Sequence, residues 1–465
     1  MQKKELSINK TILFNILSVV LIQGIAFFTS PIFSRLLGTG NYGTYSTFNA
    51  WSSILVIILP LCVNSTIPMA IKEYDDGQRI DYQKSTLALG IITTAIFSVI
   101  IMILSPILSN LMDMSVVMIA SLLCTTLLSF IILYGNTVYI YRLQADKNFY
   151  IALVNTIITI AVSLVLVLMM SEETNYWGRI IGGIIASLGI AIFIVVDIYK
   201  DGGICLKKEY ILFCLPLSIP VIFHSLSNII LNQSDRIMIN SMSSRSMAGI
   251  YSLAYNFAAI LTSVYTALNN SWTPFYFKYL SENDMEGLKK RSNNYIMLYS
   301  LVTVGFLLVF KEVYSIFADS RYWDGMRIIP VLAIGLFFMF IYSFAINYEF
   351  YLKKTKRMAL ITMSAAALNI VLNYILIGKY QIIGAAYATA VSYLYEFLVH
   401  YIYVRKISNG SYPFRMFFYL KAMFVVAIGI ICFYVLESCP IVRWCMAVLV
   451  GVYIICTMIK RKSIF

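Results

Sequence analysis

Fourteen apolar stretches, each long enough to cross a bilayer, run through this chain, and the short loops between them are alternately rich and poor in lysine and arginine. The stretches lie at about 11–32, 45–70, 85–107, 116–138, 149–170, 177–198, 211–233, 248–273, 294–317, 328–350, 358–378, 382–403, 416–436 and 441–459. A helix needs about 20 mostly apolar residues, at about 1.5 Å rise each, to cross the hydrocarbon core. With 60% hydrophobic and only 12% charged residues, a soluble fold is not a serious rival. The pattern predicts an all-α polytopic membrane protein of about 14 transmembrane helices.

The alternating charge sets an orientation. Of the 35 basic residues, 25 fall in the loop set that includes the N-terminus and nine in the opposite set, with Lys421 inside a span. Lysine-rich loops stay on the cytoplasmic side. Both termini are therefore expected there. Acidic residues share those loops, but the rule counts Lys and Arg rather than net charge. The net charge of +13 suits anionic headgroups and calls for no nucleic acid.

The first span reads as a retained helix, since its apolar run is long and Ser30–Pro31–Ile32 lacks a small-x-small cleavage pattern. No loop is long enough for an extramembrane domain, and no Walker-type Gly-rich loop is present. The eight Cys lie mostly within spans without a C-x-x-C pair, which reads as small apolar packing residues. His224 and His400 are too few and too far apart in sequence for a metal cluster, and no cofactor is expected.

Two segments 206 residues apart resemble each other: Gly43 to Ile54 and Gly249 to Ile260, with Gly43/Gly249, Tyr45/Tyr251, Ser46/Ser252 and Ile54/Ile260 aligned. Each opens an even-numbered span, so the copies run in the same direction, as parallel repeats do. This predicts two pseudo-symmetric six-helix lobes, 1–200 and 201–407, and a two-helix extension, 408–465.

The segment Ser30–Pro31–Ile32–Phe33–Ser34–Arg35–Leu36–Leu37–Gly38, then Asn41–Tyr42–Gly43–Thr44–Tyr45, resembles a signature of the bacterial polysaccharide flippases, the Wzx-type exporters of O-antigen and capsule repeat units. Leu215–Pro216–Leu217–Ser218–Ile219–Pro220, then Asn228 and Leu231 to Ile239, carry the same likeness. The wider superfamily includes multidrug and toxic compound extruders. The resemblance implies a V-shaped, two-lobed transporter. Its cargo would be an undecaprenyl pyrophosphate-linked oligosaccharide, moved from the cytoplasmic to the periplasmic leaflet. A proton or sodium gradient would drive it, and a polysaccharide polymerase and chain-length regulator are possible associates.

A pyrophosphate calls for charge-assisted donors, which arginine supplies through its planar fork. Arg35, Asp235 and Arg236 are therefore candidates for the substrate path or its gating, with Asn228, Asn232, Asn256 and Asn269 as amide donors. The amides serve equally well as contacts between helices. Arg142 and Lys147 follow the fourth span, and Lys311 interrupts the ninth. Glu349 and Glu396 are candidates for ion coupling, because an ionisable group inside a membrane is functional by default. Pro216 and Pro220 predict a bent or broken seventh span.

A drug or metabolite cation antiporter is the alternative reading, opposed by the two extra spans. A membrane-bound sugar polymerase would need a large loop bearing acid and base residues.

Overall fold

The computed structural model describes residues 8–461 apart from 143, 201, 204 and 409. Side chains are described from Gly24 onward, apart from residues 26, 72, 355 and 461. Lys3, Lys4 and Lys462, which weigh in the charge count, lie outside the described residues.

The described chain is helical: α1 (Ile8–Ile58), α2 (Ile67–Glu73), α3 (Asp76–Ile103), α4 (Ser105–Met112), α5 (Val116–Tyr141), α6 (Ala145–Met169), α7 (Tyr176–Tyr199), α8 (Lys208–Met242), α9 (Arg245–Ala258), α10 (Ile260–Ser281), α11 (Met285–Phe317), α12 (Ile329–Tyr351), α13 (Thr355–Ile407), α14 (Met416–Val435) and α15 (Pro440–Arg461). Among the described residues, eleven helical segments are long and apolar enough to cross a membrane. The count is twelve if the bent pair Phe27–Ile58 and Val63–Ile71, angled at 49°, makes one span. The protein is a multi-pass membrane protein.

Two long helices contain a break. In α1 it falls at Gly38, whose φ of 69° and ψ of 173° leave the helical region. Glycine adopts such a backbone without the steric cost of a Cβ. Phe33 and Tyr45, on either side of the break, both meet the Arg179 guanidinium, at 3.9 and 5.3 Å from their ring centres. In α13 the break is Gln381, with φ 51° and ψ −130°. Thr362 meets Glu396, Ser364 meets Tyr395, and Gly384 packs on the Leu376 backbone, so the two halves of α13 run antiparallel.

The stretch expected as one span over 45–70 is interrupted. Leu61 and Cys62 both have positive φ, and a short 3-10 turn (Val63–Thr66) follows before α2. Pro60 cannot donate the hydrogen bond that would continue the helix. The 85–107 stretch likewise stops at Ile103, before Ser105–Pro106 starts α4. By contrast, α8 holds both Pro216 and Pro220 and runs without a break to Met242. A bend is tolerated there, but the broken helix expected from these prolines is absent.

By packing, the chain divides into two compact units, up to Gly249 and from Ile250 onward. Helix α8 packs on α1 and α3 within the first unit. Side chains explain the attachment: Tyr210 and Phe213 of α8 meet Tyr74 and Tyr82 edge to face, and the Cys214 thiol lies 3.5 Å from the Thr66 hydroxyl. Lys207 adds an ion pair to Asp81 at 2.7 Å.

The second unit is built around α12. Of its apolar window, 78% is buried, against 6% for α15, so α12 is the central strut and α15 the outermost. Its core is an aromatic column in which Tyr299 stacks on Phe340 at 4.0 Å and Phe344 packs on Tyr295 and Phe414. Arg443 near the start of α15 is almost fully buried and forks onto Glu312 of α11, with a further bond to the Leu308 carbonyl at 2.9 Å.

Candidate functional site

The polar residues of α8 form a ladder along one face. The Asn228 amide donates to the His224 carbonyl at 3.2 Å, Asn232 to the Asn228 carbonyl at 2.7 Å, and Arg236 to the Asn232 carbonyl at 2.6 Å. The four residues follow one another at a spacing of four, which puts them on one side of a helix. Arg236 also donates to the Gln233 side chain at 2.7 Å. Asp235 and Arg236 are both buried. The structure thus brings Asn228, Asn232 and Arg236 together on a single helix.

The remaining basic candidates stand apart. Arg35 is exposed on α1, three residues before the Gly38 break. Arg142 caps α5 and donates to the Gln83 side chain of α3 at 2.9 Å. Lys147 pairs with Asp197 of α7 at 2.5 Å and lies 4.4 Å from the Tyr139 ring centre. Lys311 pairs with Glu437 in the turn before α15, at 2.5 Å. The hydrogen bond from Lys311 holds the Glu437 carboxyl below the usual carboxylate range. Both side chains line a cavity of about 320 Å³ shared with Trp323 and Arg327. Asn256 is exposed on α9, and Asn269 accepts a hydrogen bond from Asn347 at 3.2 Å.

Glu349 and Glu396 are brought into one cluster by His400. His400 Nδ1 lies 2.7 Å from Glu349 Oε1, and its Nε2 lies 3.9 Å from Glu396 Oε1. The Thr362 hydroxyl stands 3.0 Å from the same Glu396 oxygen, and the Tyr342 ring stacks on the imidazole at 5.9 Å. All three ionisable side chains are no more than 1% exposed. Neither carboxylate sits at a solvated helix edge. His400 was set aside in the sequence because two histidines make no metal site. Its signal was the spacing of four from Glu396 within an apolar helix, which places both on one face. Among the described residues no group of three His, Cys, Asp or Glu side chains is arranged to hold a metal ion.

The two copies of the repeated segment meet at their first glycines. A Cβ added to Gly43 would overlap the Arg245 carbonyl, and one added to Gly249 would overlap the Thr39 carbonyl. The Ser246 hydroxyl donates to Thr39 at 2.8 Å beside this crossing. Next to it, Arg245 grips the Asp113 carboxylate with two bonds of 2.8 and 2.9 Å.

Long apolar helices in two compact units carry ionisable and amide groups buried inside them, and the family models together with the fold overlays place the chain in the MOP superfamily of transport proteins. The solved structure of a lipid II flippase MurJ in an inward closed conformation overlays with a TM-score of 0.74, covering 97% of this chain and 99% of that one at 16% identity. A multidrug resistance MATE family transporter in an inward-facing conformation overlays with a TM-score of 0.59, over 88% of this chain and 97% of its own, at 13% identity. The chain belongs to the polysaccharide biosynthesis protein family, whose model matches residues 8–280. The MatE model matches residues 220–375. An uncharacterised membrane protein of Methanocaldococcus jannaschii is 25% identical over 260 residues, which span 52% of this chain and 61% of that relative.

Proposed function

We propose that this protein is a flippase for lipid-linked oligosaccharides. It moves undecaprenyl pyrophosphate-linked repeat units from the cytoplasmic to the periplasmic leaflet of a bacterial inner membrane, for assembly of O-antigen or a related surface polysaccharide. The observation that carries this reading is the family match over residues 8–280. The fold likeness supports it, because a flippase of a lipid-linked sugar overlays on nearly the whole chain while the drug transporter leaves more of it uncovered. Dividing α1 at Gly38 and α13 at Gln381, and taking α9 with α10 as one span, gives fourteen traverses. That number suits two six-helix lobes and a two-helix extension.

In this reading the α8 ladder with Asp235 and Arg236 presents amides and a guanidinium to a phosphorylated, hydroxyl-rich cargo. Arg35, Arg142, Lys147 and Lys311 meet its charge at the ends of the path. Glu349 and Glu396 handle the coupling ion. A drug or metabolite cation antiporter is the second reading, favoured by the MatE match.

The deciding experiment removes the gene and follows the lipid-linked glycans leaflet by leaflet. Intact repeat units accumulating on the cytoplasmic leaflet, with surface polysaccharide lost, are the expected result. If the units reach the periplasmic leaflet normally without the protein, the flippase reading is wrong. Leaflet resolution matters because a polymerase defect also accumulates single units.

A further inference from the structure

We propose that Glu349, His400 and Glu396 form a proton relay. A proton is taken up at Glu349, near the 352–354 turn, and passed through the His400 imidazole to Glu396, one helical turn further along α13 from the chain end of that helix.

Geometry is the first support. The imidazole stands between the carboxylates, with one ring nitrogen toward each, at 2.7 and 3.9 Å. The shorter contact is a formed hydrogen bond. The longer is just outside one and needs a small ring rotation or a single water to close. Three atoms in this buried cluster lack a hydrogen-bond partner among the described residues: Glu349 Oε2, Glu396 Oε2 and His400 Nε2. Buried polar atoms of that kind are uncommon and call for an explanation. Here the explanation is that the cluster is built to gain and lose a hydrogen.

Charge is the second support. Among the described residues, the titratable groups facing the cluster are its own members and the phenols of Tyr342 on α12 and Tyr265 on α10. Among the described residues no lysine or arginine pairs with either carboxylate. With both carboxylates ionised and the ring neutral, the cluster carries two buried negative charges. A proton on the ring leaves one, and a second proton on either carboxyl removes the last. Burying unpaired charge is strongly unfavourable, so proton number in this site is tied to its burial.

The transfer balances. Protonated Glu349 gives its proton to His400 Nδ1 and becomes a carboxylate. The imidazolium releases the Nε2 proton to Glu396, leaving the ring neutral with its proton on Nδ1. Only O–H and N–H bonds form and break. Position supports the direction, since the Glu349 carbonyl already accepts the Lys354 amide of the turn at 2.9 Å, while Glu396 reaches Thr362 inside the α13 hairpin. A ring nitrogen at the centre suits a proton better than a hard alkali cation, which prefers oxygen ligands throughout.

Proton binding stands on these residues alone, whereas its use to drive export rests on the transport reading above. The test is pH-difference infrared spectroscopy of the full-length protein in phosphatidylethanolamine–phosphatidylglycerol vesicles, read at the carboxylic acid C=O band. The expected result is a titrating band from a buried carboxyl, diminished in both Glu349→Gln and Glu396→Gln. In His400→Gln, Glu349 still titrates and the Glu396 component no longer follows it. Glutamine mimics the protonated carboxyl, so the two Glu variants keep the test decisive if the His400 variant fails to fold. A band unchanged in both Glu variants, no titrating band at all, or a band that sodium shifts at constant pH would each overturn the relay. A titrating band in a protein that moves no lipid-linked glycan sinks the transport reading and leaves the relay standing.

Discussion

Asp113 sits in a left-handed turn between α4 and α5 and takes both arms of Arg245. Those hydrogen bonds hold its carboxyl below the usual carboxylate range. A carboxyl depressed in the folded state stabilises the fold fully above its ordinary pKa and loses that contribution as the pH falls through the lower folded value. Thermal unfolding of the wild type is therefore expected to soften more steeply than that of Asp113→Asn as the pH falls through and below the ordinary carboxylate range. The two side chains are 47% and 53% exposed, so the difference should be small and should shrink with added salt. Asp235→Ala and Arg236→Ala are each expected to reduce export at ordinary protein levels, measured by surface polysaccharide. Normal export from both would reject a role for that pair. Arg35→Lys should retain export where Arg35→Ala loses it if charge alone matters, and should fail as well if bidentate phosphate contact does. At this scale the sequence was partly legible. Glu349 and Glu396 stood out because charge is rare inside apolar helices. The ring that joins them did not, because Glu349 and His400 lie 51 residues apart and only the fold brings them together.

The repeated Gly43 and Gly249 segments were legible as sequence, and the structure supplies their physical reason. At that crossing the backbones of α1 and α9 approach so closely that neither glycine has room for a Cβ. Gly249→Val is expected to cost about 1–3 kcal/mol through overpacking and backbone displacement. The measurement is a lowered thermal midpoint in detergent, with Gly305→Ala, where a Cβ meets nothing, as the control. The breaks at Gly38 and Gln381 were legible as gaps between apolar runs. At Pro60 a proline bend was legible, but not the full interruption after it, since hydropathy carries straight through Leu61 and Cys62 while their backbone turns left-handed. In α8 the two prolines suggested a bent or broken helix, and the break is absent. Continuous helical structure around them holds instead, with the aromatic contacts of Tyr210 and Phe213 fixing the same helix to its unit.

For the whole molecule, the orientation read from charge predicts that cysteines placed at Lys289 and Lys354 are labelled only from the cytoplasm. One at Glu172 should be labelled only from outside. Periplasmic access to the 353–357 cluster would reverse the entire topology. The environment of Arg443 in the last span was illegible in sequence because Glu312 is 131 residues away. Glu312→Ala is expected to lower the thermal midpoint, since it leaves a buried guanidinium with carbonyl acceptors but no counter-charge, and replacing both residues with methionine should recover most of the loss. The pairing also bears on how the chain is made. Everything through α14 can enter the bilayer before Arg443 leaves the ribosome, and α15 then brings in an arginine whose acid partner is already waiting on α11. An arginine held by an acid on a neighbouring helix favours the inserted α15 once α11 is in place, so insertion of this helix is expected to depend on assembly of the second unit. A chain whose second unit is misassembled should leave α15 uninserted and exposed to membrane proteases.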